Sequence, residues 1–154
     1  MKSVTVSIDV PQTPEQVYGF LDVMAHHERF TDHYLTGWRF SGPARGVGSC
    51  ATVTAALGGM KTEVTIKVVE AEAPRRIVEH NVSAAGRRLA HGTYAMEPLR
   101  TGGTHISFTY TWVRAPLGDR LLAAVVRTTM RHANRTVMRR LATELARHAS
   151  AADS

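Results

Sequence analysis

The sequence predicts an α+β domain: a seven-stranded antiparallel sheet, two short helices after the first strand, and a long C-terminal helix across one sheet face. Three observations predict it. Apolar residues alternate with period two from Val4 to Val10 and through most of residues 35 to 113. Tight glycine-bearing turns separate those runs, and such turns join antiparallel neighbours. From Leu117 the apolar spacing changes to three and four, with no proline or glycine after Gly118.

Taken in order, Val4, Val6, Ile8 and Val10 alternate with Thr5, Ser7 and Asp9, a half-buried strand that stops at Pro11. Thr13-Pro14-Glu15-Gln16 then supplies a cap, a proline at the first helical position and a glutamine at the third. Val17, Phe20 and Leu21 point inward from that helix, and His26 to Tyr34 reads as a second short helix or turn. Trp38 and Phe40 lead into a loop, Ser41 to Gly46. Gly48 to Leu57 and Lys61 to Glu70 flank Gly58-Gly59, a hairpin signal. Arg76 to Ser83 and Arg88 to Glu97 are joined through Ala84-Ala85-Gly86. In the last strand, Thr104 to Val113, the apolar set is Ile106, Phe108, Tyr110 and Trp112. The helix is expected from Leu117 to Ala149, about 50 Å at ~1.5 Å per residue. Its early inner face is Leu121, Leu122, Val125 and Val126. The domain is taken as residues 1–150, with 151–154 as a disordered tail.

A chain of 154 residues with 44% apolar and 21% charged residues can bury one core without disulfides or metals. The single cysteine, Cys50, lies in a strand-like run and reads as a buried thiol rather than a nucleophile. No secretory leader and no apolar run of ~18 residues is visible, so a cytoplasmic location is expected. His26, His27, Asp32 and His33 lack zinc-site spacing and read as solvated side chains on an exposed helix. Neither a phosphate loop nor a nucleophile elbow is found. No metal and no cofactor is therefore expected.

The net charge of +6 is localised. Eight arginines against Asp119 and Glu144 between Arg114 and His148 account for all of it. Arg127, Arg131, Arg135 and Arg139 form an i, i+4 stripe opposite the early apolar face. Such a stripe is a solvated helix face or a docking surface for anionic lipid or an acidic partner. Nucleic acid is disfavoured, because no exposed aromatic stacking set accompanies the stripe.

The element order and several motifs resemble the START / Bet v 1-like superfamily, and within it the bacterial polyketide cyclase/dehydrase and lipid-transport (SRPBCC) group. The motifs are Val6 to Pro11 followed by Pro14 to Tyr18, the glycine-rich loop Gly42 to Gly48, Val69 to Ile77, Gly92-Thr93-Tyr94, and Gly103 to Ile106. One departure is the region His26 to His33, more polar than the family's usual pattern. The resemblance implies a helix-grip fold with a cavity between a curved sheet and the long helix. It also implies a ligand such as a lipid, polyketide, quinone or plant-hormone-like molecule, and only some relatives are enzymes.

On that basis the cavity is expected to be lined by Trp38, Val64, Ile66, Glu79, Asn81, Tyr94, Met96, Phe108, Tyr110, Trp112, Val126, Met130 and Ala133. Small residues (Ala51, Ala55, Ala56, Ala123, Ala124, Thr129) support a space rather than a filled core, and Met60, Met96, Met130 and Met138 add adaptable surface. Glu79 and Asn81 face inward if the Ala85-Gly86 hairpin has a two-residue turn; a three-residue turn puts Val78, His80 and Val82 inside instead. In the first register His80 and His91 pair on the outer face. Glu79 is then the candidate acid/base and Asn81 a carbonyl-polarising group; the plainer alternative is that Glu79 reaches solvent or pairs with an arginine such as Arg88. Three functions follow: a carrier or sensor of a small hydrophobic molecule, a polyketide cyclase, aromatase or dehydratase, or an interaction module docking through the basic helix. A monomer or homodimer fits any of them.

Overall fold

The sheet is built from neighbours in sequence, except where its first and last strands meet. The computed structural model describes residues 1–153. β1 (Val4–Val10) pairs antiparallel with β7 (Thr104–Arg114), Val4 opposite Tyr110 and Val10 opposite Thr104. β2 (Leu35–Ser41), β3 (Cys50–Leu57), β4 (Met60–Glu72), β5 (Arg76–Ser83) and β6 (Arg88–Pro98) complete the order β1-β7-β6-β5-β4-β3-β2. The β3–β4 hairpin pairs Leu57 with Met60, and its two glycines take the positive φ values, 58° and 78°, of a primed turn. The β5–β6 register is the one expected of a two-residue turn, Glu79 opposing Gly92 and Asn81 opposing Ala90, although pairing ends at Ser83 and Arg88 and the turn takes residues 84–87.

Between β1 and β2 lie α1 (Pro14–Leu21), a single 3-10 turn (Met24–His26) and α2 (His27–Thr31). Thr13 caps α1: its hydroxyl accepts from the Gln16 amide at 3.2 Å, and Gln16 Oε1 accepts from the Thr13 amide at 2.9 Å. Val17, Phe20 and Leu21 are buried as their spacing requires, joined by Met24 and Phe30.

The C-terminal helix departs from expectation in three ways. It is not one rod: α3 (Leu117–Leu121) ends at Leu122, whose φ of −101° and ψ of 26° are non-helical, and α4 (Ala123–Ala152) begins afresh. Its early apolar face is only partly inside: Val126 is half-buried, while Leu121, Leu122 and Val125 are 85%, 60% and 62% exposed. It also continues through Ala151 and Ala152, where a disordered tail is expected from the sequence; Ser154 lies outside the described residues.

Every buried residue of α4 lies from Ala133 onward. Val137, Met138, Leu141 and Leu145 pack against β1 and α2 with Val6, Val10, Phe20, Phe30 and Ile106, and this end holds the core. The first turns of α4 stand off from the sheet. That separation positions the site.

Candidate functional site

Under the first turns of α4 lies a cavity of about 670 Å³. Each contributing element is there for a local reason. In β5 the period-two pattern turns Ile77, Glu79 and Asn81 inward, leaving Glu79 and Asn81 only 4% and 8% exposed. β6 and β7 contribute Tyr94, Phe108, Tyr110 and Trp112, and β4 contributes Val64 and Ile66. Gly37, with φ of 65°, sits where β2 slips register against β3. The extra residue restores the inward face at Trp38, three residues after inward Leu35. Val126, Thr129 and Met130 form the roof.

Two expected lining residues are not there. Met96 and Ala133 are buried, at 1% and 5% exposure, but in the packed core beside the cavity. Of the small residues, Ala55 and Thr129 reach the cavity, while Ala51, Ala56, Ala123 and Ala124 do not. Of the methionines, Met60 and Met130 border it and Met138 is fully in the core. A further hollow along α4, over Ala142, Ala146 and Ser150, is open to solvent and gathers no buried polar group.

The inner end of the cavity brings a histidine to Glu79. His27 is 3% exposed, a correction to the reading of that helix as solvated. His26 and His33 are also half-buried, with ring nitrogens on the Phe20 carbonyl at 2.8 Å and the Ala133 carbonyl at 3.2 Å. His27 Nε2 lies 2.7 Å from the Leu21 carbonyl, so it carries the proton and donates. Nδ1 is then a lone pair in the neutral ring, and it lies 3.4 Å from Glu79 Oε1. That separation is within ion-pair range but fails hydrogen-bond geometry, so Oε1 is a buried oxygen without a hydrogen bond.

A lone pair facing a carboxylate is repulsive, and burial resolves the conflict. Desolvation pushes Glu79 up to about 8 and pulls His27 down to about 4, opposed in part by the Leu21 carbonyl. At neutral pH the pair is therefore a protonated carboxyl beside a neutral imidazole. The alternative partner, Arg88, is engaged elsewhere: Nε and Nη2 hold Asp119 at 2.6 and 2.9 Å, and Nη1 donates to Ser83 Oγ at 3.2 Å.

More polar atoms face this space. Trp38 Nε1 and Asn134 Nδ2 are buried and without hydrogen-bond partners. Burial pushes the phenol of Tyr110 up to about 12 and also raises those of Tyr34 and Tyr94, so all three stay protonated. His27 stands edge-on to Tyr94, ring centroids 5.8 Å apart, and Tyr94 leans on Phe108 at 4.7 Å. The site can offer neutral donors and one transferable proton. Among the described residues no group of three or more His, Cys, Asp or Glu side chains could hold a metal.

Sequence reasoning missed His27, Thr31, Tyr34 and Asn134. Helical spacing carried a signal for two of them. His27 falls three residues after Met24 and three before Phe30; Asn134 falls four after Met130 and three before Val137. Each sits on an apolar stripe, and a polar residue there is a cavity or core residue by position. Outside the cavity, His80 and His91 stack on the outer face with ring centroids 4.3 Å apart. In the arginine stripe, Arg127 donates to the Lys2 carbonyl at 3.1 Å and Arg139 to Thr136 Oγ1 at 3.4 Å. Arg135 and Arg139 are exposed, and Arg131 is half-buried.

The fold recurs in solved structures. The protein TTHA0849 from Thermus thermophilus superposes with a TM-score of 0.77 at 17% identity, over 96% of this chain and 99% of its own. The Zhui aromatase/cyclase from Streptomyces sp. R1128 gives 0.76 at 14% identity, over 96% and 95%. Ara h 8.0201 gives 0.64 at 14%, over 94% and 97%. At such identities the likeness is one of fold, the helix-grip arrangement of Bet v 1-like proteins. No curated protein matches the chain by sequence. The family described as polyketide cyclase / dehydrase and lipid transport matches from the first strand to the last turns of α4, residues 1–148, and the chain belongs to that family.

Proposed function

We propose that the protein binds a small hydrophobic molecule in this cavity, as its carrier or sensor, and recognises a neutral oxygen-bearing end of it at the His27–Glu79 floor. One observation carries the reading: a partly enclosed, mostly apolar space meets buried polar atoms that lack partners, namely Trp38 Nε1, Asn134 Nδ2 and Glu79 Oε1. Buried donors without partners cost about 1–3 kcal/mol each, which a ligand carbonyl or hydroxyl would recover. The same atoms argue for a neutral ligand end. The cations bordering the cavity are Lys61 and Arg87, both exposed, and Arg88, held by Asp119. An anionic headgroup at the floor would therefore face a protonated carboxyl without a counter-charge.

Titration with hydrophobic fluorophores, and native mass spectrometry of protein purified from its own host, test this. Saturable uptake is expected, weakened about tenfold by Asn134→Leu for ligands with a carbonyl, as one lost hydrogen bond in a dry site implies. Failure to bind any apolar probe would remove the reading.

A second reading is catalytic, as a cyclase, aromatase or dehydratase on a polyketide-like substrate. The favouring observation is the His27–Glu79 pair, whose members are driven in opposite directions, the pattern of a site arranged for proton transfer. Glu79 would supply the proton, and His27 Nδ1 would position the carboxyl. Glu79→Gln should retain fluorophore binding and lose turnover by about 10²-fold or more. Unchanged turnover would remove Glu79 as the acid/base.

A further inference from the structure

Five exposed aliphatic side chains gather at the mouth of the cavity. Leu117, Leu121, Leu122 and Val125 are 74%, 85%, 60% and 62% exposed, and Met60, on the β3–β4 tip, is 76% exposed. Leu122, Val125 and Met60 also line the cavity, so patch and mouth are one feature. α3 has no buried residue: it presents leucines to solvent rather than to the core.

The charge around this patch has one sign. Arg114 and Arg120 are exposed on either side of Leu117, and Lys61 follows Met60. The one carboxylate within the patch, Asp119, is neutralised by the bidentate contact from Arg88. From Arg120 to Thr143 there are six arginines and no carboxylate.

We propose that the α3–α4 junction docks on an anionic lipid surface. Leu117, Leu121, Leu122 and Met60 enter the boundary between headgroups and acyl chains, and Arg114, Arg120 and Lys61 meet lipid phosphates. Aliphatic side chains fringed by basic ones are the pattern of interfacial membrane binding, in which apolar burial and attraction to anionic lipid add. Protein interfaces instead concentrate their energy in aromatic anchors seated in shaped pockets. This patch has no exposed aromatic and no pocket apart from the mouth itself. A lipid surface needs no shape complement. Docking in this orientation turns the mouth toward the acyl chains, so a hydrophobic ligand enters without crossing water; that consequence, though not the docking, rests on the ligand-binding reading.

Flotation with vesicles tests the proposal on the full chain without added ligand. Binding is expected to phosphatidylserine-rich vesicles and to be at least tenfold weaker on pure phosphatidylcholine, with attraction falling at high salt. The double variant Leu117→Ser/Leu121→Ser changes two exposed residues outside the cavity lining. It should lose vesicle binding about tenfold or more while taking up fluorophore normally in vesicle-free buffer. Arg120→Gln should lower the preference for anionic lipid. No binding to phosphatidylserine vesicles, equal binding to both compositions, or undiminished binding by the double variant would overturn docking. Fluorophore uptake keeps the two readings apart: its loss with vesicle binding intact would sink the cavity reading alone, and the converse would sink docking alone.

Discussion

Glu79 shows how a single buried carboxyl becomes a measurable property of the whole protein. Its folded pKa is raised from 4.5 to about 8, so the folded state holds a proton that the unfolded chain releases. That contribution to stability is complete below pH 4.5 and is lost as pH rises toward 8. His27 has the opposite sign: its pKa falls from 6.5 to about 4, so its contribution is complete above 6.5 and is lost as pH falls. Between about 4.5 and 6.5 the two slopes oppose each other. Above 6.5 only Glu79 acts, and stability should fall by up to ~1.4 kcal/mol per pH unit until about 8. Denaturant titrations at several pH values check this, and Glu79→Gln should flatten the slope; a wild type already flat there would mean that Glu79 ionises normally. Glu79 and Asn81 were legible in the sequence because strand alternation and one turn parity decide which way a side chain points. His27 was not recognised, although its spacing from Met24 and Phe30 marks the buried stripe of α2. Its contact with Glu79 joins residues 52 positions apart in sequence, and no local pattern encodes that.

At the scale of elements, the β-strands and the long C-terminal helix kept their predicted places, and the break within that helix is what the sequence did not announce. The hairpins were legible because glycine turns and period-two alternation are local. The break at Leu122 has no proline or glycine to announce it. What singles out α3 is tertiary: it buries no residue and is tied to the sheet by the Arg88–Asp119 contact. Asp119→Asn should therefore release α3 selectively. Amide exchange over residues 117–122 is expected to accelerate at least tenfold while the sheet is unaffected, since α3 opening costs little once that tie is weakened. Equal protection in wild type and variant would show that α3 is held by something else. Within the sheet, Gly92 is the tight point. A Cβ there would meet the Phe108 ring at 3.0 Å and Asn81 Nδ2 at 3.2 Å. Gly92→Ala should cost about 1–3 kcal/mol by overpacking and, by moving Phe108 or Asn81, should also weaken ligand uptake. A neutral effect on both would mean that the ring relaxes into the cavity freely.

Across the whole molecule, two halves of α4 divide the work of holding the fold together and leaving it open. From Ala133 onward the helix buries Val137, Met138, Leu141 and Leu145 in the main core. Before Ala133 it roofs a space of about 670 Å³ that contributes no packing of its own. A close-packed interior would be more stable, so the space is a standing cost in dispersion contacts. If ligand binding is what maintains it, filling it should raise stability and remove function together. Ala55 is the position to use: it is 7% exposed, lies on an inward face of β3 and borders the cavity. Ala55→Leu should stabilise the ligand-free protein by about 0.5–2 kcal/mol, as cavity-filling substitutions do. It should also weaken saturable fluorophore uptake, since it takes part of the space. The wild type should gain ~2.7 kcal/mol from a ligand at a hundred times its Kd, and the variant should gain less at the same concentration. Thermal unfolding with and without probe reads both effects in one experiment. A variant that is destabilised and still binds would place the binding space elsewhere in the fold. A variant that is stabilised and binds more weakly would show that the space under the first turns of α4 is kept open at a cost in stability and used for the ligand.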